Sequence, residues 1–410
     1  MIWKLALHWQ VFIGMIAGAA VALLAPDLAP AAATLGTIFM RLLRMVIVPL
    51  IFTSIVSGVA GIGDPRSLGR LGAKTLAYYL CTSLFAILVG LVLANGIRPG
   101  AQLHPPEGVV ISPDQIERPG SLAEILIRMI PENPIQAASE GDILGLIFFA
   151  LAFGLAIMFL PERGRTFLTE AFQTAFEAMM KLTGGLIRLA PLGVLGLIAG
   201  AISTMGFGVF AQVAKYMLTV ALGLSFHFFV VLPALYFLLT RRSPVAHWRA
   251  MVAPMQLAFS TSSSSATLPV TMNTVERKAG VSNKVASFVL PLGATVNMDG
   301  TALYECAGVL FIAQALDVGL TVGQQAMVVL TALLASIGAA GIPSAGLVMI
   351  FIVLEAVNLS NPAAFALVGV MLAVDRPLDM FRTMVNVTSD TVGAAVIAQS
   401  EGETLRYDDS

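Results

Sequence analysis

The sequence predicts an all-α integral membrane protein with eight transmembrane helices and two re-entrant hairpins, and three observations carry that prediction. The first is composition: 57% of the 410 residues are hydrophobic, 11% are charged and the mean hydropathy is +0.88. Soluble domains carry about a quarter charged residues, so a water-exposed globule of this composition could not cover its surface. The second is the form of the apolar runs, which are long and unbroken where a membrane barrel would need alternating segments of about ten residues. The spans are then helices, which satisfy their own backbone groups in lipid. The third is that two apolar stretches in the C-terminal half are interrupted by polar or glycine-rich strings.

A helix needs about 20 apolar residues to cross a bilayer. Runs of that length lie near 8–29, 36–60, 72–97, 140–160, 172–204 and 208–240. The chain begins Met1-Ile2-Trp3-Lys4 and enters its first apolar run without a small-residue cleavage site before Pro26, which favours a retained span over a signal peptide. The long polar segment 98–135, with its prolines, glycines and mixed charges, reads as a solvated extracellular loop.

Beyond residue 240 the pattern changes. From Val318 to Leu354 no charged residue occurs, and the middle of the run, Ala335 to Gly346, is rich in glycine and contains Pro343. Non-helical backbone at membrane depth is tolerated only where it is buried in protein or lines a cavity, so this reads as a hairpin with a functional tip. Between Ala250 and Val275 the string Ser260-Thr261-Ser262-Ser263-Ser264-Ser265-Ala266-Thr267-Leu268-Pro269 is either a serine linker or a second tip. Its short apolar arms favour the tip. Helices with internal charges follow each hairpin, at 283–314 and 363–400. Paired discontinuous segments of this kind point to the binding site of a secondary transporter.

Lys and Arg distribution orients the chain. Arg66, Arg70 and Lys74, then Arg163 and Arg165, then Arg241, Arg242 and Arg249, then Arg277, Lys278 and Lys284 mark alternate loops as cytoplasmic, and Lys4 and the eight spans place both termini there. A net charge of −1 offers no basic excess for phosphates, which sets nucleic-acid binding aside. Cys81 and Cys306 lie in apolar stretches and read as small core residues, not as a disulfide or a zinc site.

Charged groups at membrane depth mark sites or pathways. Asp379, Arg382, Thr383, Asn386 and Asp390 recur at i, i+3, i+4, i+7 and i+11 and share one helical face. A self-satisfying Asp/Arg pair is the structural alternative, but five polar groups exceed what one pair needs. Asn297-Met298-Asp299-Gly300-Thr301 interrupts the seventh helix and would present carbonyls and a carboxylate suited to a small hard cation, or else a cap or kink. Tyr79, Thr82 and Ser83 in the third helix read, on their own, as interhelical hydrogen-bonding groups.

Four strings, Ser262 to Pro269, Asn297 to Thr301, Gly341 to Gly346 and Asp379 to Asp390, occur in order along nearly the whole chain. Together they resemble the signatures of the dicarboxylate/amino acid:cation symporter family, the glutamate transporters. The resemblance implies inverted repeats and a homotrimer whose protomers work as elevators. It assigns 1–71 to scaffold helices 1 and 2, 72–97 to helix 3 of the transport domain, 98–135 to the loop, 136–206 to scaffold helices 4 and 5, and 207–410 to the rest of the transport domain.

Carried over by position, Arg382 would hold the substrate's distal carboxylate and Asp379 its ammonium, with Thr301, Thr383, Asn386, Ser264 and Gly346 completing the pocket. Three sodium ions are implied as coupling ions. One would sit among Asp390 and the carbonyls of Gly293, Asn297 and Asn386; a second among carbonyls of Thr295, Ser336, Ile337 and Ala339; a third among Tyr79, Thr82, Ser83, Asn297 and Asp299. Glu305 occupies a position that is glutamate in proton-coupled relatives, and a buried lone glutamate suits a proton carrier. A hydrogen-bonded structural glutamate is the alternative. Relatives also carry a further arginine where this chain has Ser262 or Met380, and Arg376 is the candidate to replace it.

The expected function is sodium-driven uptake of acidic amino acids, L-glutamate or L-aspartate, with a co-transported proton, potassium counter-transport left open, no enzyme cofactor, and a place in a cell membrane, by its short loops a bacterial inner membrane. A proton-driven glutamate or C4-dicarboxylate symporter of the same fold is the nearest alternative. A gated channel fits two hairpins closing on one pocket less well. An intramembrane hydrolase would need a histidine near the serine run, and His227, read as a packed core residue, is the one intramembrane candidate.

Overall fold

A computed structural model describes residues 7–61, 65–101, 127, 130–140, 142–206, 208–337 and 345–407. Lys4, most of the 98–135 loop and the second hairpin tip from Gly338 to Ser344 lie outside the described residues. Among the described residues all regular structure is helical.

Helix α1 (Leu7–Leu24) and α2 (Ala29–Ala60) are joined by one 3-10 turn at Pro26–Leu28, with a change of direction of 118°. After α3 (Pro65–Ile97), the short α4 (Pro134–Glu140) leads into α5 (Ile143–Met158), α6 (Glu162–Ile187) and α7 (Ala190–Met205). The expected single span 172–204 is thus two helices. The first begins ten residues earlier, and the two are inclined by 56° with Pro191 in the first turn of the second. Charged residues between Glu162 and Lys181 lower the local hydropathy and hide the true start.

α1, α2, α5, α6 and α7 pack on one another. Small residues set their spacing: a Cβ added at Gly14 or Gly18 of α1 would collide with the Pro191 or Leu195 carbonyl oxygen of α7. This Gly-x-x-x-Gly spacing brings backbones together where no hydrophobic drive exists between helices in lipid.

The remaining helices form a second assembly. α8 (Gly208–Phe226) continues through a π-helical turn, His227–Val231, into α9 (Leu232–Thr240). Buried residues along this rod include Tyr216, Val220, Leu224, His227, Phe228, Leu232, Tyr236 and Thr240, and at the π turn the Leu232 N–H reaches back five residues to the His227 carbonyl. Next come α10 (Pro244–Ala250), the antiparallel pair α11 (Val252–Thr261) and α12 (Ser264–Ala279), then α13 (Asn283–Val296) and α14 (Asp299–Ala315). α15 (Val322–Ile337) packs against α16 (Ala345–Ala356), and α17 (Pro362–Ser400) runs through the assembly in contact with α7, α8, α11, α13 and α14. The serine run forms a tight turn and not a linker: Ser262 ends α11 at φ +52°, and the Ser263 side chain caps α12 by accepting from the Ala266 N–H.

Cys306 is buried as expected, whereas Cys81 is exposed on α3, on a face shared with Leu80, Leu84 and Phe85. A lipid-facing surface and a protein core are equally apolar, so hydropathy alone places such a cysteine in either.

The C-terminal residues 401–407 strap the second assembly together. Glu401 takes Arg70 at 2.7 Å and Lys74 at 2.6 Å from α3, and Glu403 accepts from the backbone and hydroxyl of Ser282, with the N–H bond at 2.9 Å. The Arg406 N–H reaches the Ala279 carbonyl at 3.0 Å. The Tyr407 hydroxyl lies 2.7 Å from that of Tyr236 and 2.8 Å from His247 Nδ1, while His247 Nε2 meets Thr391 Oγ1 at 3.0 Å. Burial pushes the His247 imidazole down to about 3, so it is neutral at pH 7 and carries one proton. Thr391 spends its own proton on the Thr388 carbonyl at 2.8 Å. The His247 proton is therefore on Nε2, and Nδ1 accepts from Tyr407.

The hydrogen bond from Arg70, followed by that from Lys74, holds the Glu401 carboxyl at about 2, below its ordinary 4.5. A carboxylate depressed in the folded state stabilises above its unfolded pKa and loses that contribution as pH falls through the folded one. Glu401→Gln is therefore expected to lower the melting temperature modestly above pH 4.5, with the deficit closing between pH 4.5 and about 2. Because the partners are solvent-exposed, 0.5 M salt should shrink it. Melting curves of wild type and variant across pH and salt check both.

Candidate functional site

The site is built where α13 stops and α14 starts. Asn297 and Met298 leave the helical region, at φ −94°, ψ 87° and φ −116°, ψ 53°, so the carbonyls ending α13 and the N–H groups opening α14 turn toward each other at mid-protein. α17 satisfies this break. Asn386 Oδ1 accepts from the Gly300 N–H at 2.7 Å, and its Nδ2 lies 3.3 Å from both Thr301 Oγ1 and Met298 Sδ. Asn297 Nδ2 donates to Asp390 Oδ1 and Ser389 Oγ, both at 2.9 Å. α3 closes the other side: Thr82 Oγ1 donates to Asn297 Oδ1 at 3.2 Å and Ser83 Oγ to Asp299 Oδ1 at 2.7 Å. Tyr79 donates to the Val289 carbonyl at 2.7 Å, and a Cβ at Gly293 would collide with both Tyr79 Oη and Asp390 Oδ1.

The hydroxyls of α3 thus converge with Asn297, Asp299 and Asp390 into one buried, oxygen-rich cluster. Hard-oxygen donor sets of this kind suit small cations. His227, expected as a packed core residue, belongs here too. It is fully buried and its Nε2–H donates to Asp299 Oδ2 at 3.0 Å.

A second cluster lies along the charged face of α17. Arg382, 1% exposed, donates to Asp379 Oδ1 from Nε at 3.1 Å and Nη2 at 2.8 Å. Its Nη1 lies 3.1 Å from Asp375 Oδ1 but makes no hydrogen bond. The guanidinium carbon sits 4.1 Å from the centroid of the Tyr304 ring, a cation–π contact. Gly346 of α16 covers the guanidinium: a Cβ there would fall 3.1 Å from Arg382 Cζ and 3.2 Å from Nη1. Thr383 Oγ1 is spent on the Asp379 carbonyl at 2.8 Å. Ser264 is buried at the start of α12. Glu305 of α14 is fully buried with neither carboxyl oxygen hydrogen-bonded.

The expected i, i+3 Asp/Arg pair therefore exists, and it leaves one guanidinium nitrogen, Nη1, beside the buried Asp375 without a hydrogen bond. Of the remaining expected residues, Ser336 is buried with its hydroxyl on the Leu333 carbonyl at 2.8 Å, and Ile337 ends α15 half-buried. Ala339 lies outside the described residues. Thr295 lines a cavity of about 270 Å³ between α2 and α13 whose lining includes no residue of either cluster. Sequence reasoning missed Asp375, although it continues the charged stripe one turn back, and Tyr304.

Polar clusters enclosed by a broken helix pair and antiparallel half-helices, in a chain this apolar, define a multi-pass membrane transporter. The chain belongs to the sodium:dicarboxylate symporter family, whose model matches residues 7–400. It is 38% identical to the excitatory amino acid transporter 3 of rabbit (Oryctolagus cuniculus) and of human, each over 91% of this chain and 80% of the relative. It is also 38% identical to the neutral amino acid transporter B(0) of rabbit, over 88% of this chain and 72% of the relative. Membership of that family gives sodium as the coupling ion.

The contact between α14 and α17 rests on Gly300, where a Cβ would stand 2.7 Å from both Cβ and the carbonyl oxygen of Arg382. Gly300→Ala is expected to destabilise the protein by about 1–3 kcal/mol, as overpacking of a close-packed core does. It should also weaken substrate binding by displacing Arg382. Thermal unfolding and equilibrium binding on the purified variant measure the two effects.

Proposed function

We propose that the protein is a secondary active symporter that takes up acidic amino acids, L-glutamate or L-aspartate, on the sodium gradient with a co-transported proton. The observation that carries this reading is the Arg382 guanidinium, buried beneath Gly346 with its Nη1 beside Asp375 at 3.1 Å but not hydrogen-bonded. A planar guanidinium grips a carboxylate with two parallel bonds, which a neutral side chain cannot return. Relatives named for excitatory and for neutral amino acids are equally similar, so overall identity does not choose between the two substrate classes and the reading rests on Arg382.

In this reading Arg382 binds the distal carboxylate and Asp379 the ammonium. Thr301, Thr383, Asn386, Ser264 and Gly346 line the remainder. Sodium ions are held at Asp390 with Gly293, Asn297 and Asn386, at Tyr79, Thr82, Ser83, Asn297 and Asp299, and at the carbonyls of Thr295, Ser336, Ile337 and Ala339. The convergence of the α3 hydroxyls on Asn297 and Asp299 supports the second of these sites. Glu305 carries the proton: a carboxylate that is fully buried without a hydrogen-bond partner is costly to ionise, and an arriving anionic substrate adds to that cost.

Eight spans and the two half-helix pairs, α11–α12 and α15–α16, complete each protomer of a homotrimer in a cell membrane, on its short loops a bacterial inner membrane, with both termini cytoplasmic. α3 and α8–α17 move as an elevator against α1, α2 and α5–α7, and the strap at 401–407 supports treating the first group as one body because its bonds go to α3, α9, α10 and the α12–α13 junction.

Counterflow of radiolabelled L-aspartate, L-glutamate and L-serine in proteoliposomes, with sodium, proton and potassium gradients imposed singly, tests the reading. Uptake indifferent to sodium moves it to a proton-driven symporter. Arg382→Cys should lose about 2–5 kcal/mol of acidic substrate binding, the cost of stranding a buried charge, and gain neutral substrates; unchanged aspartate affinity would refute the assignment. Glu305→Gln should keep sodium-dependent exchange and abolish the internal acidification that accompanies uptake, followed with a pH-sensitive dye at clamped membrane potential.

A further inference from the structure

Asp299 is held at both of its oxygens, and the two partners come from different elements. Ser83 Oγ donates to Oδ1 at 2.7 Å and belongs to the row of α3 hydroxyls, beside Thr82, which donates to Asn297 at 3.2 Å. His227 meets Oδ2 at 3.0 Å. It opens the π turn between α8 and α9, and that turn packs against α3 and α17. The side chains of His227 and Asp299 are both completely buried.

An imidazole is a poor choice for mere packing at this place. Its Nδ1 is buried without a hydrogen-bond partner among the described residues, so Asp299 takes the one hydrogen bond of the ring. With a carboxylate oxygen as acceptor, the proton is on Nε2. Burying the other nitrogen unpaired costs free energy that a leucine or phenylalanine would not incur. The backbone leaves the α-helical path at the same residue, and single π turns of this kind recur at functional sites. Both features are explained if the bond to Oδ2 is needed.

The direction of the carboxylate needs it. Tethered at Oδ1 alone, Asp299 could turn about its Cβ–Cγ bond and would have to be ordered afresh for each arriving cation. With Oδ2 occupied, Oδ1 is the oxygen left to the cluster. Hydrogen bonds to a metal-ligating carboxylate orient it, and losing one typically lowers metal affinity by about 10–100-fold.

We propose that His227 is a positioning residue for the coupling cation: by holding Asp299 Oδ2 it fixes Oδ1 toward the sodium ion shared with Tyr79, Thr82, Ser83 and Asn297. This rests on the sodium site given under the proposed function. The influence of His227 on the amino acid passes through sodium, because its hydrogen bond goes to Asp299. Binding of the two ligands is reciprocally coupled, so loss of His227 weakens amino-acid binding where sodium is scarce and leaves it unchanged where sodium saturates.

The test is equilibrium binding of L-aspartate to purified full-length protein in nanodiscs across sodium concentrations, with choline holding ionic strength constant. Melting temperatures are recorded with and without sodium in the absence of amino acid. The variants are His227→Leu, His227→Asn and His227→Gln. Leucine has no donor, asparagine is too short to reach Oδ2, and glutamine places an amide N–H near the position of Nε2. His227→Leu and His227→Asn should weaken aspartate binding about tenfold at sub-saturating sodium, converge with wild type at saturating sodium, and show a smaller sodium-induced rise in melting temperature. His227→Gln should recover most of each loss. Wild-type sodium dependence in His227→Leu or His227→Asn overturns the inference. So does a loss that is the same at all sodium concentrations and is shared by His227→Gln, which marks a packed residue. Asp299→Asn separates this failure from that of the underlying site: wild-type sodium dependence there overturns the sodium assignment and the inference with it.

Discussion

A full positive charge sits on Arg382 at 1% exposure, and much of the surrounding architecture follows from keeping it there. An unpaired charge in a protein interior costs several kcal/mol even after relaxation, so its neighbours must supply negative charge without supplying water. Asp379 does so through two hydrogen bonds to one oxygen, Asp375 by proximity, and Tyr304 by its ring face. These contacts require α14 and α17 to touch backbone to backbone, which only a glycine at position 300 permits. They also require α16 to lie close over the guanidinium, which a glycine at position 346 permits. The glycines at 300 and 346 follow from holding a cation at that depth.

The two polar clusters are not separate devices. Asn386 fills the space between them: its carbonyl caps the first turn of α14 while its amide touches Thr301. One helical turn further along α17, Asp390 receives Asn297 from the same break. Any ligand that changes the position of Asn297 or Asp299 therefore acts on the same few backbone groups as one that engages Arg382. Coupling between two ligands through a shared element is reciprocal by thermodynamic necessity, and here the shared element is a two-residue gap in a helix.

The α17 stripe and the break at Asn297-Met298 were legible in the sequence because each rests on local order: helical spacing in one case, and in the other a mid-helix Asn-Met-Asp-Gly that cannot continue an apolar span. The serine run was legible for a similar reason, although the sequence alone left linker and tip both open. What sequence could not reach depended on distant partners. His227 meets Asp299 across 72 residues, and nothing in its apolar neighbourhood signals a carboxylate. Cys81 was misplaced because hydropathy measures dislike of water and cannot tell lipid from protein. Tyr407 lies in a short polar tail without periodicity, so its place against His247 and Tyr236 has no sequence signature.

The π turn at His227–Val231 has a consequence for the phase of the helix that carries it. In a regular α-helix each residue advances by about 100°, so His227 and Tyr236, nine positions apart, would point to nearly opposite sides. The wider turn absorbs one residue and brings them to within about 80° of each other, so that His227 faces Asp299 at membrane depth and Tyr236 faces Tyr407 at the tail. Winding the same residues as an ordinary helix would rotate one half by roughly a quarter of a revolution against the other and take one of the two off its partner. Deleting the absorbed residue would instead keep both contacts, because the flanking halves already stand in the phase of a helix one residue shorter. The inserted residue acts as a phase shifter, and it lets one rigid rod satisfy two partners at different heights that an uninterrupted helix of the same length would miss.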